Sequence, residues 1–299
     1  MYSQILKIIP PERLRWQEPL SAHTTLKVGG PADLMVFPET IEEIQQLVRT
    51  CREDGIPYMV IGLGSNLLVR DKGFRGVVIK IGHSLNGLYI SGNEIMAEAG
   101  IRLSELSKKA AAHGLSGLEF AEGIPGSVGG AVVMNAGAYG GEMSQVISAV
   151  SALDGSGNLC TFSPEEMAFG YRSSIFQKGD WIVVSAVMKL SPGNREEIVA
   201  KMQEYARLRR EKQPLDMPSA GSIFKRPPGV YVGPLLEKMG LKGFKIGDAQ
   251  VSTKHAGFIV NCGQATAQDI IDLIRYIQKR ALEEHNIVLE PEVRIVGEE

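Results

Sequence analysis

The sequence predicts a mixed α/β protein with about two domains, and three observations support this fold class. The chain has 299 residues, and domains usually contain about 100–200 residues. Its first third alternates short apolar strands with helices, an order typical of layered α/β folds. Farther along, Pro192 and Gly193 interrupt a strand pattern and precede a new helix. We therefore expect a domain boundary near residues 191–194.

The elements of the first domain follow from apolar periodicity and from residues that begin or end helices. Thr40 and Glu43 predict a capping box, and Gly55 is a typical helix end. A second helix carries Leu103 on its apolar stripe and ends before Gly114. Apolar strands are predicted at residues 34–37, 58–61, 77–81, 146–153, 159–162 and 181–190.

The second domain is predicted to begin with a capped helix and to end in an extended segment. Asn194 and Glu197 are placed to cap the first helix of this domain. Residues 266–286 form the longest amphipathic helical pattern of the chain. Residues 287–297 are predicted to be extended, and Pro291 within them suits an edge strand or a bulged strand.

The composition argues against several classes of protein. The 32 Lys and Arg residues are balanced by 34 Asp and Glu residues, which argues against a general nucleic-acid or membrane-surface binder. No apolar run approaches the ~18 residues of a membrane span. Residues 1–17 lack the apolar core of a signal peptide, so we expect a cytoplasmic protein. The three cysteines lie far apart without a CxxC pair, and neither a zinc site nor a disulfide framework is expected.

The 34 glycines of the chain are clustered. Two clusters, residues 62–67 and 123–130, each lie beside an apolar strand. Successive backbone N–H groups in such turns can hold a phosphate, because no side chain blocks its approach. Tight turns between strands are the alternative, but the pair of clusters favours a ligand with a diphosphate, such as a dinucleotide. Neither the G-x-G-x-x-G fingerprint nor a P-loop is present, so FAD in a different flavin-binding fold is the leading hypothesis.

Three segments carry candidate reactive side chains. Arg172 could hold a carboxylate through both arms of its guanidinium, or it could be a surface arginine at a strand end. Ser222 is flanked by small residues that let a ligand approach, and its hydroxyl could give a proton to a carbanion or enolate; turn capping is the alternative. Period two places Glu290, Glu292 and Arg294 on one face of an extended segment, either at a site or in solvent.

Two further features have both a structural and a functional interpretation. His255 precedes an apolar strand, and a single histidine is more often structural than catalytic. The basic run at residues 207–212 either offsets the dipole of a helix end or binds a diphosphate.

Taken together, these segments resemble the family of UDP-N-acetylenolpyruvoylglucosamine reductases, also called UDP-N-acetylmuramate dehydrogenases (MurB). The resemblance implies a two-subdomain FAD-binding fold of the vanillyl-alcohol-oxidase (PCMH) type, followed by a C-terminal α/β substrate domain. It implies an N-terminal arm at residues 1–20, an FAD-binding domain at 21–192 with subdomains at about 21–80 and 81–192, and a substrate domain at 193–299. The matching segments, in family order, are TTLKVGGPAD, GLGSNLLVRDKGFRG, GLEFAEGIPGSVGGAVVMNAGAYGGE, FGYRSSIF, SAGSIFKRP, GLKGFKIGDAQVSTKHAGFIVN and LEPEVRIVG.

The resemblance also implies an activity and the residues that carry it. FAD takes hydride from NADPH and passes it to UDP-N-acetylglucosamine enolpyruvate, which becomes UDP-N-acetylmuramate. Ser222 is the implied proton donor, while Arg172 and Glu292 are implied to polarise the substrate carboxylate and stabilise the intermediate. The residues implied to line non-covalently bound FAD are Gly62, Leu63, Gly64, Ser65, Asn66, Leu67, Gly123, Ile124, Pro125, Gly126, Ser127, Gly129, Gly130, Asn135, Gly137 and Ala138.

The chain departs from parts of the family in its substrate contacts. Arg226 stands where some members have an asparagine that contacts the diphosphate. No room exists between Phe176 and Trp181 for the tyrosine-bearing loop of one subgroup, so the chain resembles the shorter, loop-less subgroup. The implied substrate contacts are Tyr171, Lys212, Gly221, Lys225, Arg226 and His255.

The resemblance limits the expected partners to small molecules. These are NADPH and the enolpyruvyl substrate, with no metal, no nucleic acid, no membrane and a monomeric chain. Two alternatives are an oxidase on the same flavin scaffold and a non-catalytic UDP-sugar-binding protein.

Overall fold

A computed structural model describes residues 2–82 and 85–299 of the chain. The chain divides into two compact units, each assembled from separate stretches of sequence. The domains expected from the sequence are instead continuous stretches of the chain, and their boundaries stay a prediction. Unit 1 contains the chain up to Trp16, Leu34–Leu63 and Gly76–Arg209; unit 2 contains Gln17–Asp33, Gly64–Arg75 and Arg210–Glu299.

The described residues form seven α-helices and nineteen strands. The helices are α1 (Ile5–Ile8), α2 (Ile41–Glu53), α3 (Leu103–Ala112), α4 (Val128–Met134), α5 (Arg195–Lys212), α6 (Val232–Lys238) and α7 (Ala267–His285). The first ten strands are β1 (Leu14–Pro19), β2 (Pro31–Val36), β3 (Tyr58–Ile61), β4 (Leu67–Val69), β5 (Phe74–Lys80), β6 (Leu88–Ser91), β7 (Glu94–Glu98), β8 (Leu115–Ser116), β9 (Gly137–Ala138) and β10 (Gly141–Glu142). The others are β11 (Ile147–Leu153), β12 (Leu159–Phe162), β13 (Ile182–Lys189), β14 (Ser191–Pro192), β15 (Ser219–Ser222), β16 (Lys245–Ile246), β17 (Ala249–Val251), β18 (Phe258–Asn261) and β19 (Arg294–Val296).

The first layer of unit 1 is a four-stranded sheet in the order β1-β2-β5-β3. Strands β3 and β5 are parallel, as expected for two strands joined across other elements. Helix α2 begins after Thr40, whose side chain accepts a hydrogen bond from the Glu43 backbone. Its apolar stripe, including Leu47, packs with Val77 and other strand residues into one buried cluster.

The second layer of unit 1 is a five-stranded sheet in the order β12-β11-β13-β7-β6. Neighbouring strands in it are antiparallel. Helices α3 and α4 contribute Leu106 and Val132 to a second buried cluster, separate from the first. Because α4 starts at Val128, the glycine segment at residues 123–130 leads directly into the helix. Unit 1 therefore contains two α/β layers with separate buried clusters, and the predicted subdomain boundaries stay a prediction.

Unit 2 is built around a four-stranded antiparallel sheet in the order β15-β18-β17-β16. Helix α7 packs on β16 and β17 and buries Ile270, Ile274 and Ile277 in a core that also contains Phe224. A separate parallel pair joins β19 to β4. Unit 2 is therefore an α/β unit of its own, in agreement with the predicted fold class.

The six predicted strands of the first domain are all present, and the end of the chain is less regular than expected. Leu289 and Val293 are buried while Glu290 and Arg294 are exposed, which confirms the period-two pattern. However, β19 begins only at Arg294. Before it, Pro291 makes an isolated bridge with Phe224, since proline has no N–H group to continue a strand pairing.

The N-terminus of α7 is capped twice, once by neighbouring residues and once by a residue far away in the sequence. Thr266 and Asp269 form a reciprocal capping box, and the Asp71 carboxylate accepts from the backbone N–H groups of Ala267 at 2.7 Å and Gln268 at 2.9 Å. Together these contacts satisfy N–H groups that have no partner within a helix. No helix within the described ranges combines the length and apolarity needed to cross a membrane.

Removal of the Asp71 carboxylate is expected to lower the stability of the protein. Asp71→Ala leaves two helix N–H groups without their acceptor, which should cost about 0.5–2 kcal/mol. Urea denaturation followed by circular dichroism measures the change. Glu283→Ala, which removes the same charge from an exposed pair with Lys279 in the same helix, should change the free energy of unfolding by no more than about 0.5 kcal/mol. Equal effects of the two variants would show that Asp71 acts only through its charge.

Candidate functional site

The two glycine segments meet at one point in unit 1. A Cβ atom placed on Gly62 would lie 2.6 Å from the Ser127 hydroxyl oxygen, so only a glycine permits this approach. Each segment is also fixed by its neighbours. The Lys80 ammonium donates to the Gly62 carbonyl at 2.6 Å, and the Leu103 backbone N–H donates to the Gly126 carbonyl at 2.9 Å. The prediction that both segments serve one site is consistent with this contact.

The segment at residues 123–130 is attached along the end of β7. Val128 donates to the Ile101 carbonyl at 2.8 Å, and Gly129 donates to the Ala99 carbonyl at 2.9 Å. A Cβ atom on Gly129 would lie 2.9 Å from the Ala99 Cβ, so this glycine is needed for the close packing. The backbone path of the segment is therefore set by packing before any ligand binds.

The first glycine segment offers unpaired backbone donors. The N–H groups of Gly62, Leu63, Gly64 and Ser65 donate to no acceptor among the described residues. Gly64 has a φ of +65°, a left-handed conformation of the kind that turns successive N–H groups toward an anion. A nucleotide diphosphate needs free N–H donors for its phosphate oxygens and glycines that leave room for it. These residues therefore fit FAD.

Asn135 and Gly137 contribute structure to the same unit. Asn135 is fully buried and ends α4 in a left-handed conformation, with a φ of 43°. Its amide donates to the Gly170 carbonyl at 3.0 Å and accepts from the Ser144 backbone at 2.9 Å. Its side chain thus holds the turns around it, and its place among the FAD-lining residues stays a prediction.

Arg172 lies in a tight turn next to Gly137. Gly170 and Ser173 exchange backbone hydrogen bonds across the turn, and Arg172 has a φ of 53°. Its Nη2 donates to the Gly137 carbonyl at 3.1 Å, and its own carbonyl accepts from the Gln177 amide at 2.9 Å. A residue predicted to be catalytic and one predicted to line FAD are therefore in direct contact within unit 1.

Ser222 and Glu292 are neighbours within unit 2. The Ser222 hydroxyl donates to the Phe224 carbonyl at 3.2 Å, and the Glu292 backbone donates to Ile223 at 2.9 Å. The Asn66 amide donates to the Glu292 carbonyl at 3.0 Å. These contacts bring together the serine segment, the C-terminal acidic segment and the end of the first glycine segment.

The surroundings of Ser222 leave space for a ligand. Gly221 has a φ of +78°, and a Cβ atom placed on it would meet nothing within 4 Å. The prediction that small residues beside Ser222 admit a ligand is consistent with this space.

Three predicted substrate contacts of unit 2 have different local surroundings. His255 accepts a hydrogen bond from Gly257 through Nδ1 at 3.0 Å, and burial lowers the pKa of this histidine. The Arg226 guanidinium lies 3.7 Å from the centre of the Tyr231 ring, a cation–π contact. Lys212 is an exposed residue at the end of α5.

The sequence did not predict that two cations near the glycine segments, half-buried Lys80 and buried Arg209, are withdrawn from solvent. Lys80 and Arg209 both lie in unit 1, and the latter is 7% exposed. Nothing local in the sequence marks either as buried, because each is covered by residues distant in the chain. Burial, followed by the nearby Arg102 charge, lowers the pKa of Lys80 to about 8.

The stability of the protein is expected to rise with pH above 8 because of Lys80. An unfolded lysine keeps its proton up to about pH 10.4, whereas folded Lys80 loses it near pH 8. Between these values the unfolded chain binds more protons, so the free energy of unfolding increases with pH. The slope is at most about 1.4 kcal/mol per pH unit for one group.

A comparison with Lys80→Met isolates this effect. The free energies of unfolding of both proteins are measured in urea at several pH values from 7.5 upward. The value for the unmodified protein should rise with pH relative to the value for Lys80→Met. Parallel curves would show that Lys80 has an ordinary pKa.

The fold and these glycine segments define an α/β flavoprotein. Residues 32–163 match the family model of an FAD binding domain. Residues 213–296 match the model of the UDP-N-acetylenolpyruvoylglucosamine reductase C-terminal domain. The chain belongs to the UDP-N-acetylenolpyruvoylglucosamine reductase (MurB) family, as the following relatives establish.

Two curated relatives with the name UDP-N-acetylenolpyruvoylglucosamine reductase align over nearly the whole chain. The protein from Syntrophomonas wolfei is 58% identical over 299 residues and covers 100% of both chains. The protein from Lactobacillus acidophilus is 51% identical over 286 residues, with 96% of each chain covered. The resemblance stated from the sequence motifs is thus confirmed.

Solved structures support the same family and the wider fold. The structure of UDP-N-acetylenolpyruvylglucosamine reductase (MurB) from Thermus caldophilus has a TM-score of 0.81 and 42% identity, covering 93% of this chain and 97% of that chain. Phl p 4, a grass pollen allergen with glucose dehydrogenase activity, has a TM-score of 0.51 at 17% identity and covers 64% of this chain and 44% of that chain. The second likeness concerns the fold alone.

Proposed function

We propose that this chain catalyses the NADPH-dependent reduction of UDP-N-acetylglucosamine enolpyruvate to UDP-N-acetylmuramate in peptidoglycan synthesis. The observation that carries this proposal is the 58% identity over the full length to a relative of that family. Both proposed substrates are charged nucleotides, so we also propose that the enzyme works in the cytoplasm. A monomeric chain is a separate part of the proposal. Bound FAD supplies the chemistry of accepting and donating hydride.

Arg172 is proposed to bind the carboxylate of the enolpyruvyl group. Addition of hydride to an unsaturated acid builds negative charge on the carboxylate oxygens. A cation already fixed in position lowers that barrier, since no reorganisation is needed as the charge develops. The tight turn and the hydrogen bond to Gly137 supply that fixed position.

Ser222 is proposed to give a proton to the substrate carbon, with Glu292 supporting the intermediate. A serine hydroxyl is a weak acid at neutral pH, but an enolate is basic enough to take its proton. The backbone of Glu292 is bonded to the residue after Ser222. This contact supports a joint role, because the positions of the two residues depend on each other.

The diphosphate of the substrate is proposed to bind basic residues of unit 2. Arg226 offers a planar guanidinium, which binds two phosphate oxygens at once, in place of the asparagine of other members. Stacking on Tyr231 limits its rotamers. The other proposed substrate contacts are Tyr171, Lys212, Gly221, Lys225 and His255.

Anaerobic stopped-flow absorption tests the proposed function. The purified protein should be yellow, should lose its colour with NADPH, and should regain it rapidly with the enolpyruvyl substrate. A colourless protein would favour a non-catalytic UDP-sugar-binding protein. Rapid return of colour with oxygen, and none with the enolpyruvyl substrate, would favour an oxidase.

A further inference from the structure

The side chain of Arg209 is buried, and one edge of its guanidinium makes no hydrogen bond to the described residues. It is 7% exposed, and its Nε and Nη2 atoms have no hydrogen-bond partner among residues 2–82 and 85–299. A buried charged group without hydrogen bonds is strongly destabilising. Burial also lowers the pKa of Arg209, which is the expected sign for a cation taken out of water. A ligand from outside the chain would relieve this cost.

The two unpaired atoms lie on the same edge of the guanidinium. The N–H bonds of Nε and Nη2 are nearly parallel, and their spacing matches two oxygens of one phosphate or carboxylate. An oxyanion with two adjacent acceptors therefore fits this edge better than a single carbonyl does.

This edge of Arg209 lies against the second glycine segment. A Cβ atom on Gly123 would lie 3.1 Å from both Cδ and Nε of Arg209, so a side chain at Gly123 would crowd the guanidinium. The adjacent Glu122 has a buried Oε2 that also lacks a hydrogen-bond partner among the described residues. A ligand with both phosphate oxygens and sugar hydroxyls would satisfy the donor and the acceptor together, and nucleotides have both.

A stacked pair of tyrosines lies beside the guanidinium, and one of the two contacts it. The rings of Tyr139 and Tyr205 stack with centroids 4.4 Å apart and an interplanar angle of 9°. The Arg209 Cζ lies 5.7 Å from the centre of the Tyr139 ring, within the range of a cation–π contact. Because Tyr205 and Arg209 lie on α5 and Tyr139 lies between β9 and β10, the stack joins the helix to this turn.

We propose that the Nε–Nη2 edge of Arg209 binds phosphate oxygens of a nucleotide diphosphate, and that the Tyr139–Tyr205 pair positions it. This inference rests on the proposed function, in which FAD and the UDP-linked substrate both carry such a group. The contact with Gly123 favours FAD, because residues 123–130 are expected to line the cofactor. The sequence left diphosphate binding open for the basic run at residues 207–212 as a whole, and the unpaired buried edge distinguishes Arg209 within it.

Ligand affinity provides the first test. Arg209→Met should increase the dissociation constant of FAD, measured by flavin fluorescence, about 10- to 100-fold, the usual value of hydrogen bonds to a charged group. Arg195→Met is the matched control, since Arg195 is exposed at the start of the same helix; FAD affinity should not change. If only UDP binding to the holoenzyme weakens, Arg209 binds the diphosphate of the substrate.

Thermal unfolding of the FAD-free full-length chain separates ligand binding from a structural role. Arg209→Met removes a buried charge whose Nε and Nη2 atoms make no hydrogen bond, so the melting temperature without FAD should be equal or higher, while the increase caused by FAD should be smaller. A lower melting temperature with unchanged FAD and UDP affinity would overturn the proposal. If the unmodified protein bound neither ligand, the proposed function itself would fail as well.

Discussion

Ser222→Ala is expected to leave the loss of colour with NADPH intact and to slow the return of colour with the enolpyruvyl substrate. A positioned general acid typically contributes about 10²–10⁴-fold to a rate, so the second half-reaction should slow by at least this range. The first half-reaction needs no proton from Ser222. Anaerobic stopped-flow absorption at the flavin band measures both steps on one sample.

The structure makes Ser222→Ala an informative substitution. The hydroxyl makes one hydrogen bond, to the Phe224 carbonyl at 3.2 Å, while the backbone of β15 is held by its pairing with β18. Loss of the hydroxyl should therefore leave the fold unchanged. Ser219→Ala, in the same strand, is the matched control and should retain both rates. Normal return of colour in Ser222→Ala would remove this residue from the role of proton donor.

The elements set by local chemistry were predictable from the sequence. Strands β3 and β12 have the predicted bounds, because apolar residues and turn residues next to each other define them. Helix α7 was predicted to within a residue at each end, since Thr266 caps its start and Asn286 ends it in a left-handed conformation. Helix α6 was not predicted, because its seven residues include Gly233 and Pro234, which are poor helix formers.

Features that depend on distant contacts were not predictable. The partial burial of Lys80 and the burial of Arg209 depend on which segments cover them in three dimensions, and a charged residue in a sequence is normally assigned to the surface. The assignment of α5 to unit 1 as far as Arg209 likewise follows from packing against residues distant in the chain. Strand β14 ends at Pro192, so the predicted break in the strand pattern is present. A compact unit, however, need not end where a strand ends.

The sequence indicated which residues belong to the candidate site, but it did not indicate which of them are in contact. Glycine density located the two segments that meet at Gly62 and Ser127, because a glycine leaves room for another group to approach its backbone. The contact between Arg172 and Gly137 joins residues 35 positions apart in the sequence, and no periodicity indicates it. The motifs therefore identified which side chains matter, and folding determined which of them touch.

Arg172→Lys is expected to slow the return of colour with the enolpyruvyl substrate about 10²–10³-fold, the usual effect of losing one preorganised donor at a developing oxyanion. Lysine keeps the positive charge, but its ammonium cannot donate to Gly137 and also present two parallel N–H groups to a carboxylate. Because lysine and arginine have similar backbone preferences, the left-handed conformation at this position is no more strained in the variant.

The control is the same arginine-to-lysine substitution at another position. Arg195→Lys replaces an exposed arginine of unit 1 at the start of α5, and both half-reactions should keep their rates. The loss in Arg172→Lys should appear mainly in the second half-reaction, because the carboxylate is present only in the enolpyruvyl substrate. If the variant recovered its colour as fast as the unmodified protein, Arg172 would lie outside the reacting site, and the hydrogen bond to Gly137 would be a purely structural link in the turn.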